Sequence, residues 1–250
     1  MYRQRILLLI PHPDDEVVGC CAAIGRARAR GGQVCGLYLT TGVPATEVLW
    51  PWQRYRYPAR LARRQYEAKR AAQLLDIEIA GWQDIPTRRL KSHLRTSAAA
   101  IRRSIETTGA EILWTPAYEG GHQDHDTTNF LASRFRSRLP VWEFSEYHYA
   151  GGRVHSHEFT KIKGTEVSID LEPAEQRRKQ ELLKTYSSER GNLGYVGLRR
   201  EVFRPLADYD YTRPPHAGKL FYQRYEWVMF HPRIDYTKPD EVCKALREMQ

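Results

Sequence analysis

Apolar residues gather along this chain in short runs that alternate with longer amphipathic stretches. The first run, Ile6-Leu7-Leu8-Leu9-Ile10, has no polar break. Such a run bounded by turn signals reads as a buried strand, here residues 5–10. Residues 16–30 read as a helix, stopped by Gly31-Gly32. Residues 33–40, rich in β-branched and bulky apolar side chains, read as the next strand. A long connection follows over 41–57, with Gly42, Pro44, Pro51 and the tryptophans Trp50 and Trp52. Loops this long in compact domains commonly serve as lids or binding loops.

Residues 59–75 predict a strong helix, with Leu61, Gln65, Ala68, Ala72 and Leu75 on one face and charges opposite. A short strand at 77–81 and a helix at 93–107, ended by Gly109, come next. A strand at 111–114 is broken by Thr115-Pro116, a helix runs roughly over 126–138, and a strand covers 141–144. This alternation predicts an α/β fold: a Rossmann-like, mostly parallel sheet with helices on both faces. Ligands in such sheets bind beyond the carboxyl ends of the strands.

The last hundred residues have a different texture. Residues 154–169 alternate in an antiparallel manner, as in His157-Glu158-Phe159-Thr160-Lys161-Ile162. Residues 172–186 form a charged helix, and prolines and aromatics accumulate after Arg200. This C-terminal third is expected to add antiparallel strands and helices around the core. The organisation predicted is a single domain over 1–250, with an α/β core at about 1–150 and an extension at about 151–250.

Composition narrows the class. The 250 residues are 41% hydrophobic and 28% charged, as in soluble globular proteins. No apolar run approaches the roughly 20 residues of a membrane span. Arg3 and Arg5 precede an apolar run shorter than the roughly 7–15 residues of a signal-peptide core, so a cytoplasmic location is expected. Cys20, Cys21, Cys35 and Cys243 form no CxxC pair and read as buried free thiols. The net charge of +9 raises nucleic acid or acidic membranes as partners. Its basic residues, however, are scattered over helices at 60–70 and 95–103 among alanines and acids, the pattern of solvated helix faces. A small-molecule partner is therefore expected and nucleic acid is not; self-association is left open.

Two motifs carry the chemistry. Pro11-His12-Pro13-Asp14-Asp15-Glu16 lies where the first strand turns into the first helix. The prolines bias residues 10 and 12 toward extended backbone and fix the direction of His12. Acids at a helix start serve as N-caps and complement the helix dipole, which accounts for Asp14 or Asp15 taken alone. That use does not explain the clamped histidine or three consecutive acids. Successive side chains at a helix start point about 100° apart, so Asp14 and Asp15 must do different things. The second motif is Gly121-His122-Gln123-Asp124-His125-Asp126, after the strand at 111–114. His122 and His125, three residues apart, share a face on a helical turn. Together the motifs offer a mixed His/Asp donor set, suited to zinc or a similar transition metal rather than magnesium or calcium.

At these residues the sequence resembles the PIG-L/LmbE-like zinc-dependent N-deacetylases, whose signatures are a PHPDDE-type and an HPDH-type motif. The first is complete here; the second has Gln123 in place of proline. Weaker likenesses are Arg64-x-x-Glu67-Ala68, Lys184-Thr185-Tyr186-Ser187-Ser188 and Glu201-Val202-Phe203-Arg204. Val43 departs from the acidic residue that many members carry after Thr41-Gly42. The resemblance implies that His12, Asp15 and His125 bind Zn²⁺ and that Asp14 is the general base. It implies that a protonated His122, oriented by Asp124, stabilises the oxyanion or donates a proton, and that Arg64 contacts substrate or braces the site. The implied reaction removes an N-acetyl or other N-acyl group from an amino sugar or related small molecule, leaving a carboxylate and a free amine. Metal-dependent hydrolysis of another small amide or a thiol conjugate would use the same residues, and a non-catalytic polyanion-binding relative is the remaining alternative. Glu16 is left to the helix start or to a supporting bond. The aromatics at 50–57 could stack on a sugar or pack as loop core, and Tyr147 and His148 could reach the site or be buried at a strand end.

Overall fold

The unbroken run at 6–10 becomes an inner strand, because both of its faces are covered. The structure, a computed structural model, describes residues 2–249. In chain order the α/β part comprises β1 (Arg5–Ile10), α1 (Asp15–Ala29), β2 (Gln33–Tyr38), the short α2 (Pro51–Arg54), α3 (Tyr57–Leu75), β3 (Glu78–Trp82), α4 (Leu94–Thr108), β4 (Ile112–Pro116), α5 (Gln123–Ser133) and β5 (Val141–Ser145). Alternate residues of β1 feed two cores. Ile6, Leu8 and Ile10 pack with α1 and α3. Leu7 and Leu9 pack on the opposite face with α4 and α5.

The remaining elements are β6 (Tyr147–His148), β7 (His155–Ser156), β8 (Val167–Asp170), α6 (Pro173–Thr185), β9 (Arg200–Pro205) and α7 (Pro239–Arg247). The main sheet has seven strands in the order β3-β2-β1-β4-β5-β9-β8. The first five are parallel; β9 pairs antiparallel with β5, and β8 antiparallel with β9. The chain winds outward from β1 to β3, then returns to lay β4 on the other side of β1. Connections leaving β1 and β4 therefore diverge, and a crevice opens between them at their carboxyl ends. Both sequence motifs fall at that crevice.

The last third is tied to the core by a buried charge cluster. Lys179 Nζ lies 3.0 Å from Glu201 Oε1, and both residues are fully buried. The Glu201 carboxylate also accepts the N–H groups of Ala22 and Ala23 in α1, at 3.0 and 2.9 Å. A pair from α6 and β9 thus grips the helix whose first turn carries Asp15 and Glu16.

The structure corrects the expected elements in two places. Residues 157–162 form no strand. His157 adopts φ 54°, in the left-handed region, which interrupts a ladder. Its imidazole is buried against the carbonyl oxygens of Ser145 and Gly197. Helix α5 begins at Gln123 and ends at Ser133, rather than spanning 126–138. His122 is its N-cap: Nδ1 accepts the Asp124 N–H at 3.0 Å. The capping residue is a histidine, outside the usual Ser, Thr, Asp and Asn set. The connection at 41–57 also holds a 3₁₀ turn at Thr46–Val48 besides α2.

Removing one member of a buried ion pair leaves the other charge uncompensated. Lys179→Met is expected to destabilise the fold by about 3–5 kcal/mol, read as a lower urea midpoint.

Candidate active site

Asp14 does not do what an acid at a helix start ordinarily does. It holds the N-cap position of α1, yet its carboxylate makes no capping bond, and its backbone sits at φ 128°, ψ −24°. Local turns are satisfied by its neighbours. Asp15 Oδ2 accepts the His12 N–H at 2.7 Å, and Glu16 Oε2 accepts the Asp14 N–H at 3.1 Å. Glu16 is buried and also receives the Tyr186 hydroxyl. The Asp14 side chain is left free to face the cavity. Arg64 holds it there: Nη2 donates to the Pro13 carbonyl and lies 3.3 Å from Asp14 Oδ2. Arg64 is buried on α3, not a surface charge. It is flanked by Glu189 at 3.7 Å and by Glu67, which accepts the Ser188 N–H at 3.0 Å.

Three donor atoms converge across the crevice. His12 Nδ1 lies 3.3 Å from Asp15 Oδ2 and 3.2 Å from His125 Nε2, and His125 Nε2 lies 3.3 Å from Asp15 Oδ2. Tetrahedral ligands about 2.0–2.1 Å from an ion stand about 3.3 Å from one another. The triangle therefore matches the base of a tetrahedral site, with the apex left for a further ligand. A second grouping, His12, His122 and Asp124, is also close. Its carboxylate already accepts the Thr87 hydroxyl and the Arg88 and Leu90 N–H groups, against the single His12 N–H on Asp15, so the first grouping fits an ion better.

Asp124 supports the triangle from behind. Its Oδ2 is 3.0 Å from His12 Nε2, and it accepts the Thr87 hydroxyl at 3.0 Å and the Arg88 N–H at 2.6 Å. Oδ1 accepts the Leu90 N–H at 3.3 Å. Holding the far nitrogen of a histidine in this way fixes its tautomer and leaves Nδ1 for a metal. Asp124 reaches His122 chiefly through its backbone N–H; its carboxylate stands 3.7 Å from His122 Nδ1. Behind His125, Glu146 Oε2 is 3.6 Å from Nδ1. Both carboxylate oxygens of Glu146 are buried without a hydrogen-bond partner.

The electrostatics are those of crowded, buried acids. Burial opposes a charge on His12, but Asp15 and Asp124 outweigh it and push its pKa up to about 10. Burial works against the Asp15 and Asp124 carboxylates too, yet the facing histidines hold both below the usual range. Burial pushes Asp14 well above its ordinary value although Arg64 pulls the other way. Burial and the nearby Asp15 and Glu119 do the same to Glu146. Burial, then His12, drives His122 down. Such a cluster is suited to a cation.

The cavity above the triangle measures about 970 Å³. Its lining includes His12, Asp14, Asp15, His122 and Arg64. Val43 lines it where the resemblance led one to expect an acid, and Tyr147 and Tyr195 contribute aromatic wall. From the connection at 41–57 the lining residues are Gly42, Val43, Pro44, Leu49 and Gln53. Trp50 and Trp52 instead stack on each other, with ring centres 5.1 Å apart. His148 is buried outside the lining. Gly121 lies tight against β6: a Cβ there would stand 2.4 Å from the Tyr147 carbonyl oxygen. Sequence reasoning missed Thr87, Arg88 and Glu146, which lie outside both motifs. The only signal was the position of Glu146 just past a strand end.

With this geometry in view, comparison with known proteins gives a consistent result. The family described as PIG-L, GlcNAc-PI de-N-acetylase, matches residues 7–135. That span is more than half of the chain, and the chain belongs to this family. No curated protein matched it. Among solved structures, a deacetylase of the teicoplanin biosynthesis pathway aligns with TM-score 0.65 at 17% identity, covering 82% of this chain and 99% of that one. The zinc-inhibited form of teicoplanin deacetylase Orf2 aligns with TM-score 0.62 at 19% identity, covering 82% of this chain and 99% of that one. N,N'-diacetylchitobiose deacetylase from Pyrococcus horikoshii aligns with TM-score 0.53 at 16% identity, covering 85% and 84%. A 4-carboxy-2-hydroxymuconate hydratase from Pseudomonas putida aligns with TM-score 0.52 at 15% identity, covering 83% and 98%. At such identities the likeness is one of fold. No helix among the described residues is long and apolar enough to cross a membrane.

Loss of a carboxylate behind a metal-binding histidine typically weakens the metal about 10–100-fold. Asp124→Asn is expected to do so here, measured by competition with a chromogenic chelator.

Proposed function

We propose that the protein is a zinc-dependent N-deacetylase acting on an N-acyl amino sugar or a related small molecule. The observation that carries this reading is the 3.2–3.3 Å triangle of His12 Nδ1, Asp15 Oδ2 and His125 Nε2, with Asp14 beside it and free of any capping bond. In this reading those three atoms hold Zn²⁺, which when bound supplies Lewis acidity toward the amide carbonyl and the attacking water. The mixed nitrogen and carboxylate set favours zinc over magnesium, and membership of a de-N-acetylase family supports the reaction type.

The chain's own residues divide the remaining work. Asp14 accepts the proton of the attacking water, since it stands beside the triangle with no capping bond to engage it. Arg64 fixes its direction, and we read Arg64 as a brace for Asp14 with substrate contact secondary. His122 acts as a neutral donor rather than in the protonated state first expected. Its Nδ1 accepts the Asp124 N–H and so carries no proton. The neutral ring then bears its hydrogen on Nε2 and directs it at the oxyanion. The proton taken by Asp14 is delivered to the departing nitrogen, giving a carboxylate and a free amine. We also read the chain as one domain, since β9 and β8 extend the sheet that β1 begins.

The test is release of acetate and free amine from N-acetylated amino sugars by zinc-loaded protein. Asp14→Asn is expected to lower kcat by about 10²–10⁴-fold with little change in zinc content; undiminished turnover rejects Asp14 as the base. His122→Ala is expected to cost about 10²–10³-fold in kcat. A hydratase of this fold would instead add water to a carbon–carbon double bond and release no amine.

A further inference from the structure

Gln123 is where the second motif departs from the pattern it resembles, and its side chain is fully buried. The backbone at this position is already suited to proline. Gln123 opens α5, where a missing N–H breaks no bond within the helix. His122 before it is extended, at φ −143° and ψ 144°, the geometry that a following proline imposes. Main-chain demands therefore do not account for the glutamine; its amide does.

That amide reaches into the C-terminal third. Nε2 donates to Asp235 Oδ2 at 2.6 Å and to the Thr237 hydroxyl at 2.8 Å, and Oε1 accepts Lys91 Nζ at 2.6 Å. Asp235 is buried as well, and its Oδ1 accepts the Thr237 N–H at 3.0 Å. The segment held in this way contains no helix or strand, yet His231, Pro232, Arg233, Ile234 and Asp235 all line the cavity. Chain without regular structure pairs few of its own backbone groups, so its position depends on outside partners. Gln123 fixes one end, and Arg88, half-buried, fixes the other. Arg88 Nη1 donates to the carbonyls of Pro232 and Ile234 at 3.0 and 2.9 Å, and Nη2 to that of Arg233 at 2.8 Å. The Arg88 N–H also donates to Asp124, the residue that follows Gln123. One wall of the cavity and the carboxylate behind His12 thus share their fastenings.

We propose that Gln123 is a specificity-determining residue: its amide latches residues 231–237 as a wall of the cavity, and the standing of that wall sets how tightly substrate is held. Gln123→Pro would leave α5 and the metal triangle intact and the wall loose. Asp235 Oδ2 would lose its Gln123 donor, and a buried carboxylate short of a donor favours moving out to water. The proposal rests on the deacetylase reading and adds a determinant of affinity to it.

The experiment compares the zinc-loaded protein with Gln123→Pro, Gln123→Glu and Gln123→Glu/Asp235→Asn, with N-acetylglucosamine as substrate, and follows amide hydrogen exchange in each. Gln123→Glu sets two carboxylates face to face; adding Asp235→Asn restores the hydrogen bond with donor and acceptor exchanged. KM is expected to rise roughly tenfold in the two single variants, the scale of one buried polar group left unpaired. With kcat held within about threefold, that pattern marks lost binding rather than lost chemistry. The double variant is expected to return KM close to its original value. Amides at 231–237 are expected to exchange roughly tenfold faster in the single variants while β1 and α5 keep their protection. An unmoved KM, a loss confined to kcat, or no recovery in the double variant overturns the proposal. So does lost protection throughout β1 and α5, which would make Gln123 a general support of the fold. If the sugar is not hydrolysed, the deacetylase reading fails separately. Exchange at 231–237 in Gln123→Pro then decides the latch, and unchanged protection overturns it.

Discussion

Mutual repulsion among buried carboxylates is the constraint around which this molecule is arranged. Asp14, Asp15 and Glu16 are consecutive, and all three are buried at the carboxyl end of β1. Asp124 and Glu146 approach the same point from β4 and β5. Water cannot screen them there, so each needs its own answer. Asp15 faces two histidines, Asp14 faces Arg64, and Glu16 receives a tyrosine hydroxyl. Asp124 collects peptide N–H groups, a threonine hydroxyl and an imidazole. Glu146 is left without a hydrogen-bond partner, and the centre of the His12, Asp15 and His125 triangle is suited to a cation.

The supports come from distant parts of the chain. Arg64 stands on α3 and is framed by Glu67, which is fastened to Ser188 after α6. Arg88 lends its backbone to Asp124 while its side chain grips the carbonyls at 232–234. Glu201 on β9 grips α1 from below. The C-terminal third is thus built into the site's scaffolding, even though both motifs lie in the first half of the chain.

The sequence made the fold's core legible because its periodicity is strong there. The 6–10 run and the alternation through residue 145 pointed to a parallel α/β sheet, and the two motifs fell at strand ends where such a sheet binds ligands. Residue types made a mixed His/Asp donor set legible, the resemblance singled out His12, Asp15 and His125, and those three do converge. Less could be read where tertiary contacts overrule local pattern. The alternation at 157–162 looked like a strand, yet a left-handed His157 buried between two carbonyls ends it. The start of α5 was displaced because histidine is an unusual cap. Arg64, which the resemblance marked as a substrate contact or brace, stands in a helix rich in arginine, and the packing of α3 against the crevice is what buries it. Thr87 and Arg88 act through a hydroxyl and a peptide N–H, and no motif marks such contributions.

The conformation of Asp14 has an evolutionary edge. At φ 128° the backbone prefers glycine, and any side chain there is strained by an amount on the order of 1–3 kcal/mol. Selection for folding alone would drift toward glycine at position 14 and give a sturdier protein. Under the role proposed for Asp14, a lineage that keeps an acid there is held by function against the preference of its own main chain. Descendants released from that demand should betray it first at this residue.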